Sequence, residues 1–169
     1  SILLKYPVDL ERPDPFGNTS LLTAALNGNE EIIDQLITAG AELEHSNYMG
    51  QNALHLAAIQ GQEDIVKRLL DANLSPTKSD QFGLTALHRA AENGHADVVR
   101  TFLKTKTVDP NINVLDAHGD GGTPWFLAAK RGHISVLEVL LEASADHDAV
   151  ELLNGTTALQ VASAEGQES

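Results

Sequence analysis

Apolar positions along this chain recur in blocks with helical spacing. Ile32, Ile33, Leu36 and Ile37 follow the i, i+1, i+4, i+5 pattern of one helix face, and Ile134, Val136, Leu137, Leu140 and Leu141 supply a comparable later helix. In Asp80 to Leu103, DQFGLTALHRAAENGHADVVRTFL, a polar turn is followed by two short helical segments separated by a glycine, and the same order returns before and after it. The glycines that close the first segment are Gly28, Gly61, Gly94, Gly132 and Gly166, at intervals of 33, 33, 38 and 34. A second series, Gly17, Gly50, Gly83, Gly121 and Gly155, keeps the same intervals. A period of 33 built on a turn and two helices predicts a solenoid of stacked antiparallel helix pairs, all-α in class.

Within each unit the residues suit their places. Thr85 can cap the first helix with its hydroxyl, and Pro124 fits a first helical position, where a missing amide hydrogen does no harm. Gly94 suits the left-handed conformation that ends that helix, and Glu63, Asp64 and Asp97 favour the start of the second. Between Leu103 and Thr123 the spacing grows by five residues, which predicts a protruding finger. The units read as 14–46, 47–79, 80–117 and 118–151, with partial units at 1–13 and 152–169 that look like interior cuts of a longer array. On that reading Leu159, Val161 and Ala162 lack cover and the last unit frays.

TALHRAAENGH (Thr85 to His95) resembles the ankyrin-repeat pattern T-P-L-H-x-A-A-x-x-G-H. It recurs as NALHLAAIQGQ from Asn52 and TPWFLAAKRGH from Thr123, with weaker copies from Thr19 and Thr157, so the resemblance covers nearly the whole chain. It implies an ankyrin-repeat solenoid with β-hairpin-like finger loops, whose finger tips and first helices line a concave groove that holds a protein partner.

On that expectation the groove positions can be named. They are Phe16, Tyr48, Met49, Phe82 and Leu84 around the finger glycines, and Leu26, Asn27, Ile59, Gln60, Glu92, Asn93, Lys130 and Arg131 before the closing glycines. Register puts Phe16, Met49 and Phe82 at equivalent tips, an apolar row flanked by Tyr48, Leu84, Leu26 and Ile59, with Lys130 and Arg131 turning its far end positive. Such a row either packs tip on tip or anchors a partner, and the partner that fits is an extended or helical segment with apolar anchors and an acidic end. Alanine at Phe16, Met49 and Phe82 is then expected to weaken binding and leave thermal unfolding little changed.

Composition narrows the function classes. The chain of 169 residues is 42% hydrophobic but only 4% aromatic, which suits a core of small aliphatic residues. No run reaches the ~18 apolar residues of a membrane helix, no secretory leader is visible, and there is no cysteine for disulfides or thiolate metal sites. The expectation is a protein of the cytoplasm or nucleus, monomeric apart from end-to-end contacts. A net charge of −13 opposes nucleic-acid binding through the overall field. Lys67, Arg68, Arg100 and Lys104 read as a solvated outer face.

No constellation for catalysis, metal or cofactor stands out. His55, His88, His95 and His133 fall at repeated positions, which points to scaffold roles. Asp116, His118 and Asp120 imitate the start of a calcium loop, but Leu127 stands where its closing Glu belongs. The resemblance also implies a modification: Leu103, Asp109, Pro110 and Asn111 are similar to the L-x5-D-V-N pattern hydroxylated on asparagine in ankyrin proteins, with Pro110 in place of Val. The alternative is that Asp-Pro-Asn simply makes a turn. The sequence thus reads as a non-catalytic interaction module, or else as a regulatory segment that docks within a larger enzyme, receptor or channel.

Overall fold

A computed structural model describes residues 9–105, 107–111 and 122–146, together with Thr157, Gln160 and Ser163. Its described helices are α1 (Ser20–Asn27), α2 (Glu30–Thr38), α3 (Ala53–Gln60), α4 (Glu63–Asp71), α5 (Ala86–Glu92), α6 (Ala96–Lys104), α7 (Pro124–Lys130) and α8 (Ile134–Glu142). The odd-numbered helices pack one on the next, the even-numbered ones do the same, and each odd helix also packs on the even helix that follows it. Two layers of stacked helices result. Within a pair the connection is too short for anything but a reversal of direction, as at Gly28-Asn29 between α1 and α2.

The layers differ in side-chain size. The inner helices bury alanine pairs, Ala24-Ala25, Ala57-Ala58, Ala90-Ala91 and Ala128-Ala129, whereas the outer ones bury Leu36, Leu69, Phe102 and Leu140. Small residues let the inner helices approach closely, and the larger ones fill the space toward the outer layer. Trp125 is half-buried and bridges the main core to a smaller cluster formed by Leu84, Phe126, Leu127 and Ala129.

Helix ends follow the chemistry of their residues. Gly94 has φ +81°, Pro124 opens α7, and Glu63, Asp64 and Asp97 occupy first turns of outer helices. Thr85 and His88 form a capping box, with the Thr85 hydroxyl 2.7 Å from His88 Nδ1. Each finger is closed by a backbone bond across its turn: Asp14 to Asn18, Asn47 to Gln51 and Asp80 to Leu84, at 2.9 to 3.0 Å. These are turns, and strand pairing among the described residues is confined to isolated bridge positions, the antiparallel pair Ser79 and Thr85 together with Gly122 and Thr157. The long finger at 112–121, including Asp116, His118 and Asp120, and the positions Leu159, Val161 and Ala162 lie outside the described residues.

Hydrogen bonds running from one repeat to the next hold the register. The Tyr48 amide donates to the Phe16 carbonyl at 3.1 Å, and the Gln81 amide to the Met49 carbonyl at 3.0 Å. His95 Nε2 donates to the Ile59 carbonyl and His133 Nε2 to the Glu92 carbonyl, both at 3.0 Å. Each ring lies over a glycine of the preceding repeat. A Cβ built on Gly61 would come within 2.6 Å of His95 Nδ1, and one on Gly94 within 2.7 Å of His133 Nδ1.

His55 shows a mismatch that His88 does not. Its Nε2 lies 3.1 Å from the Leu84 carbonyl, which can only accept, so Nε2 carries the proton and Nδ1 of the neutral ring is an acceptor. Burial holds the ring neutral by pushing its pKa below the usual histidine value, against the opposing effect of the Leu84 bond. The Asn52 backbone amide donates to Nδ1 at 3.4 Å, but the atom nearest Nδ1, at 2.7 Å, is Asn52 Oδ1, which has no proton to give, while Asn52 Nδ2 is buried without a partner. Turning the amide over would satisfy Nδ1 but remove the acceptor of the His55 backbone amide, at 3.2 Å. Threonine, as at the equivalent Thr85, resolves both demands, because its hydroxyl accepts and donates at once. Asn52→Thr is therefore expected to stabilise the fold by about 1–3 kcal/mol, the cost of a buried unsatisfied donor. Urea unfolding of the variant would show a higher midpoint, and an unchanged or lower one would contradict the account.

Candidate partner-binding groove

The fingers present their tips in a row because the cross-repeat bonds stack them. In each turn an Asx side chain fixes the backbone. Asp14 Oδ1 accepts from the Phe16 and Asn18 amides at 2.8 Å, Asn47 Oδ1 from those of Met49 and Gln51 at 3.0 Å, and Asp80 Oδ1 from those of Phe82 and Leu84. These bonds, that from the Asn18 amide foremost, hold the Asp14 carboxyl below its usual pKa. Tip positions are thus set by backbone, and in the first two fingers the side chains are left exposed.

Phe16 is 72% exposed, Tyr48 71% and Met49 43%. On the inner helices beside them Leu26, Asn27 and Gln60 are exposed and Ile59 is half-buried. The other end of the proposed strip departs from expectation. Leu84 is only 7% exposed, because it packs with Phe126, Leu127 and Ala129 instead of facing the groove. Phe82 is half-buried against the same cluster, with the Arg89 guanidinium 5.3 Å over its ring. Its truncation would therefore cost packing, contrary to the expectation that it leaves unfolding unchanged.

The basic end is a network rather than a bare positive patch. Half-buried Glu92 pairs with Arg89 at 3.0 Å and with exposed Arg131 at 2.9 Å. Arg89 also binds Asp80 through Nε and Nη2, at 2.9 and 2.6 Å. Asn93 Nδ2 donates to the Arg89 carbonyl at 2.8 Å, and Lys130 is half-buried nearby. Together with Phe82 and Leu127, the side chains of Arg89, Lys130 and Arg131 line a cavity of about 240 Å³. Glu92 lines it too, so its charges are largely paired and Lys130 adds a positive one. The sequence reading missed Arg89 and Asp80; the nine-residue gap between them gives no local pattern, although Arg89 and Glu92 have helical i, i+3 spacing.

A model of ankyrin repeats in sets of three matches residues 1–80, 21–114 and 72–151. The chain belongs to the ankyrin-repeat family. It is 42% identical over 59 residues to ankyrin repeat and SAM domain-containing protein 6 of Mus musculus, a match covering 34% of this chain and 6% of the mouse protein. Ankyrin repeats are in general protein-interaction modules, and the family is typically non-catalytic.

Ion pairs tie neighbouring repeats of this ankyrin array together. On the outer face Arg68 pairs with Glu30 and Asp34 of the preceding repeat, Arg100 with Glu142 of the following one, and Lys67 with Glu63 and Asp64 on its own helix. The residue implied for hydroxylation, Asn111, is exposed; its amide donates to Asp109 Oδ1 at 2.8 Å and its Oδ1 accepts from the Asp146 amide at 2.6 Å. Both bonds are those of a turn tied to the next repeat. Among the described residues no helix is long and apolar enough to cross a membrane.

Proposed function

We propose that this ankyrin array is a non-catalytic module that captures a protein partner on its fingers and inner helices. The observation that carries the reading is the row of Phe16, Tyr48 and Met49, large apolar side chains left exposed on turns whose backbones are locked to one another. Locked tips lose little entropy on binding, and aromatic anchors of this kind concentrate binding energy. At the far end Lys130 and the exposed Arg131 leave a net positive charge beyond the Arg89, Asp80 and Glu92 network, so the occupant is an extended or helical segment with apolar anchors and an acidic end. The row would seat the anchors and the positive end would set the direction.

Affinity capture with the wild-type chain and with a Phe16→Ala, Tyr48→Ala, Met49→Ala variant tests this. The variant is expected to bind captured partners at least about thirtyfold more weakly, some 2 kcal/mol, with its thermal midpoint close to wild type. Equal binding by the variant would place the interface elsewhere.

A further inference from the structure

Away from the groove, the loop before the first finger meets the loop after α2. Glu11, Glu42 and His45 each offer one ligand-type atom there, and these atoms lie within 4.8 Å of one another. Glu11 Oε1 accepts the Glu42 backbone amide at 2.8 Å. Its other carboxylate oxygen, Oε2, is buried and has no hydrogen-bond partner. A carboxylate oxygen so placed is costly unless positive charge meets it.

His45 is set up on the other side. Its Nε2 lies 3.1 Å from the Gly17 carbonyl, which only accepts, so Nε2 holds a proton and Nδ1 is the nitrogen that can offer a lone pair to a metal. An imidazole anchored through its far nitrogen to a backbone carbonyl is the arrangement that orients metal-bound histidines.

The next repeat shows how the same place is satisfied elsewhere. One period on, Glu11, Glu42 and His45 become Glu44, Ser75 and Lys78. Glu44 accepts the Ser75 amide at 3.1 Å, just as Glu11 accepts that of Glu42. Lys78 Nζ then supplies the cation, 2.6 Å from the Glu44 carbonyl and 3.9 Å from its carboxylate. In the first repeat the lysine is replaced by an imidazole and the serine by a second carboxylate. No ion pair among the described residues reaches Glu11 or Glu42.

We propose that Glu11, Glu42 and His45 bind a divalent transition metal, zinc foremost, which fastens the loop before the first finger to the loop after α2. One imidazole nitrogen and two carboxylate oxygens form a three-ligand set that zinc completes with water. Calcium and magnesium ask for a larger shell made of oxygen alone. The metal would take the place that the Lys78 ammonium fills one repeat later.

Calorimetric titration of the chelator-treated full chain with zinc chloride, alongside thermal unfolding, tests the site. The wild type should bind one equivalent and gain thermal stability. Glu42→Gln and His45→Gln should each weaken binding about tenfold or more. Glu11→Gln keeps an acceptor for the Glu42 amide and should do the same without loss of fold. His45→Lys, which copies Lys78, should abolish zinc binding while its metal-free melting temperature matches or exceeds that of wild type. Absence of binding would overturn the proposal, as would zinc bound equally well by the His45 and Glu42 variants, which would put the metal on other histidines. Binding that survives His45→Lys would overturn it as well. None of these readouts involves the groove, so the partner-binding reading stands or falls separately.

Discussion

Truncating Phe102 to alanine is expected to lower the unfolding free energy by about 3–5 kcal/mol, the usual cost of removing a fully buried aromatic ring. Phe102 has no exposed surface, and its helix α6 packs on α4, α5 and α8 at once. The equivalent residues one and two periods earlier are Leu69 and Leu36, and Leu140 follows after the longer interval. Phe102→Leu therefore installs a residue the array already uses at this place and should cost far less, about 1 kcal/mol. Denaturant unfolding of the pair separates a cavity from a general disturbance of α6. Because stability in a stacked array is a sum of unit and neighbour contributions, the alanine variant should also broaden the transition as the two sides of the stack come apart. Equal losses in the two variants would contradict this picture.

The second large effect is expected at Asp80. Its carboxylate is fully buried and makes four bonds: Oδ1 to the Phe82 and Leu84 amides, Oδ2 to Arg89 Nε and Nη2. Asp80→Ala leaves these donors unmatched and the Arg89 charge dependent on Glu92 alone, at a cost of about 3 kcal/mol. Asp80→Asn keeps an acceptor for the turn, as Asn47 does in the preceding repeat, and removes only the charge, so about 1–2 kcal/mol is expected. Urea midpoints for both variants check the order. Equal losses would show that the ion pair with Arg89, and not the turn bonds, carries the energy.

What could be read in the sequence was whatever repeats locally. The glycine intervals, the alanine pairs, Thr85, Pro124 and the acidic first turns each act within a few residues of themselves, and periodicity displayed them several times. The scaffold role of the histidines was legible for the same reason, but their acceptors were not. Ile59 lies 36 residues before His95, and Leu84 lies 29 after His55, distances at which no propensity operates. Leu84 does hold the place that Asn18 and Gln51 hold in earlier fingers, but that place is covered, as the burial of Gln51 shows, and an apolar residue there turns to the core. The signal for its burial lay in a second departure: Phe126 stands where His55 and His88 stand in earlier repeats, and the two apolar substitutions meet in one cluster. Arg89 and Asp80 were missed because an ion pair spanning a finger and an inner helix leaves no periodic trace. The Glu11, Glu42 and His45 group joins two loops that a unit-by-unit reading keeps apart.

The rings of His95 and His133 over Gly61 and Gly94 give the array a standard joint. Over Gly28 the ring is replaced by Gln62, but the two histidine joints are alike enough to be interchangeable. A unit inserted between these neighbours would find the glycine, ring and carbonyl it needs. The cost of such an event falls on the tips that differ, Phe16, Tyr48 and Met49 among them, whose order along the row would be rewritten in a single step. A joint that is the same at two levels thus leaves the tips free to differ from one level to the next.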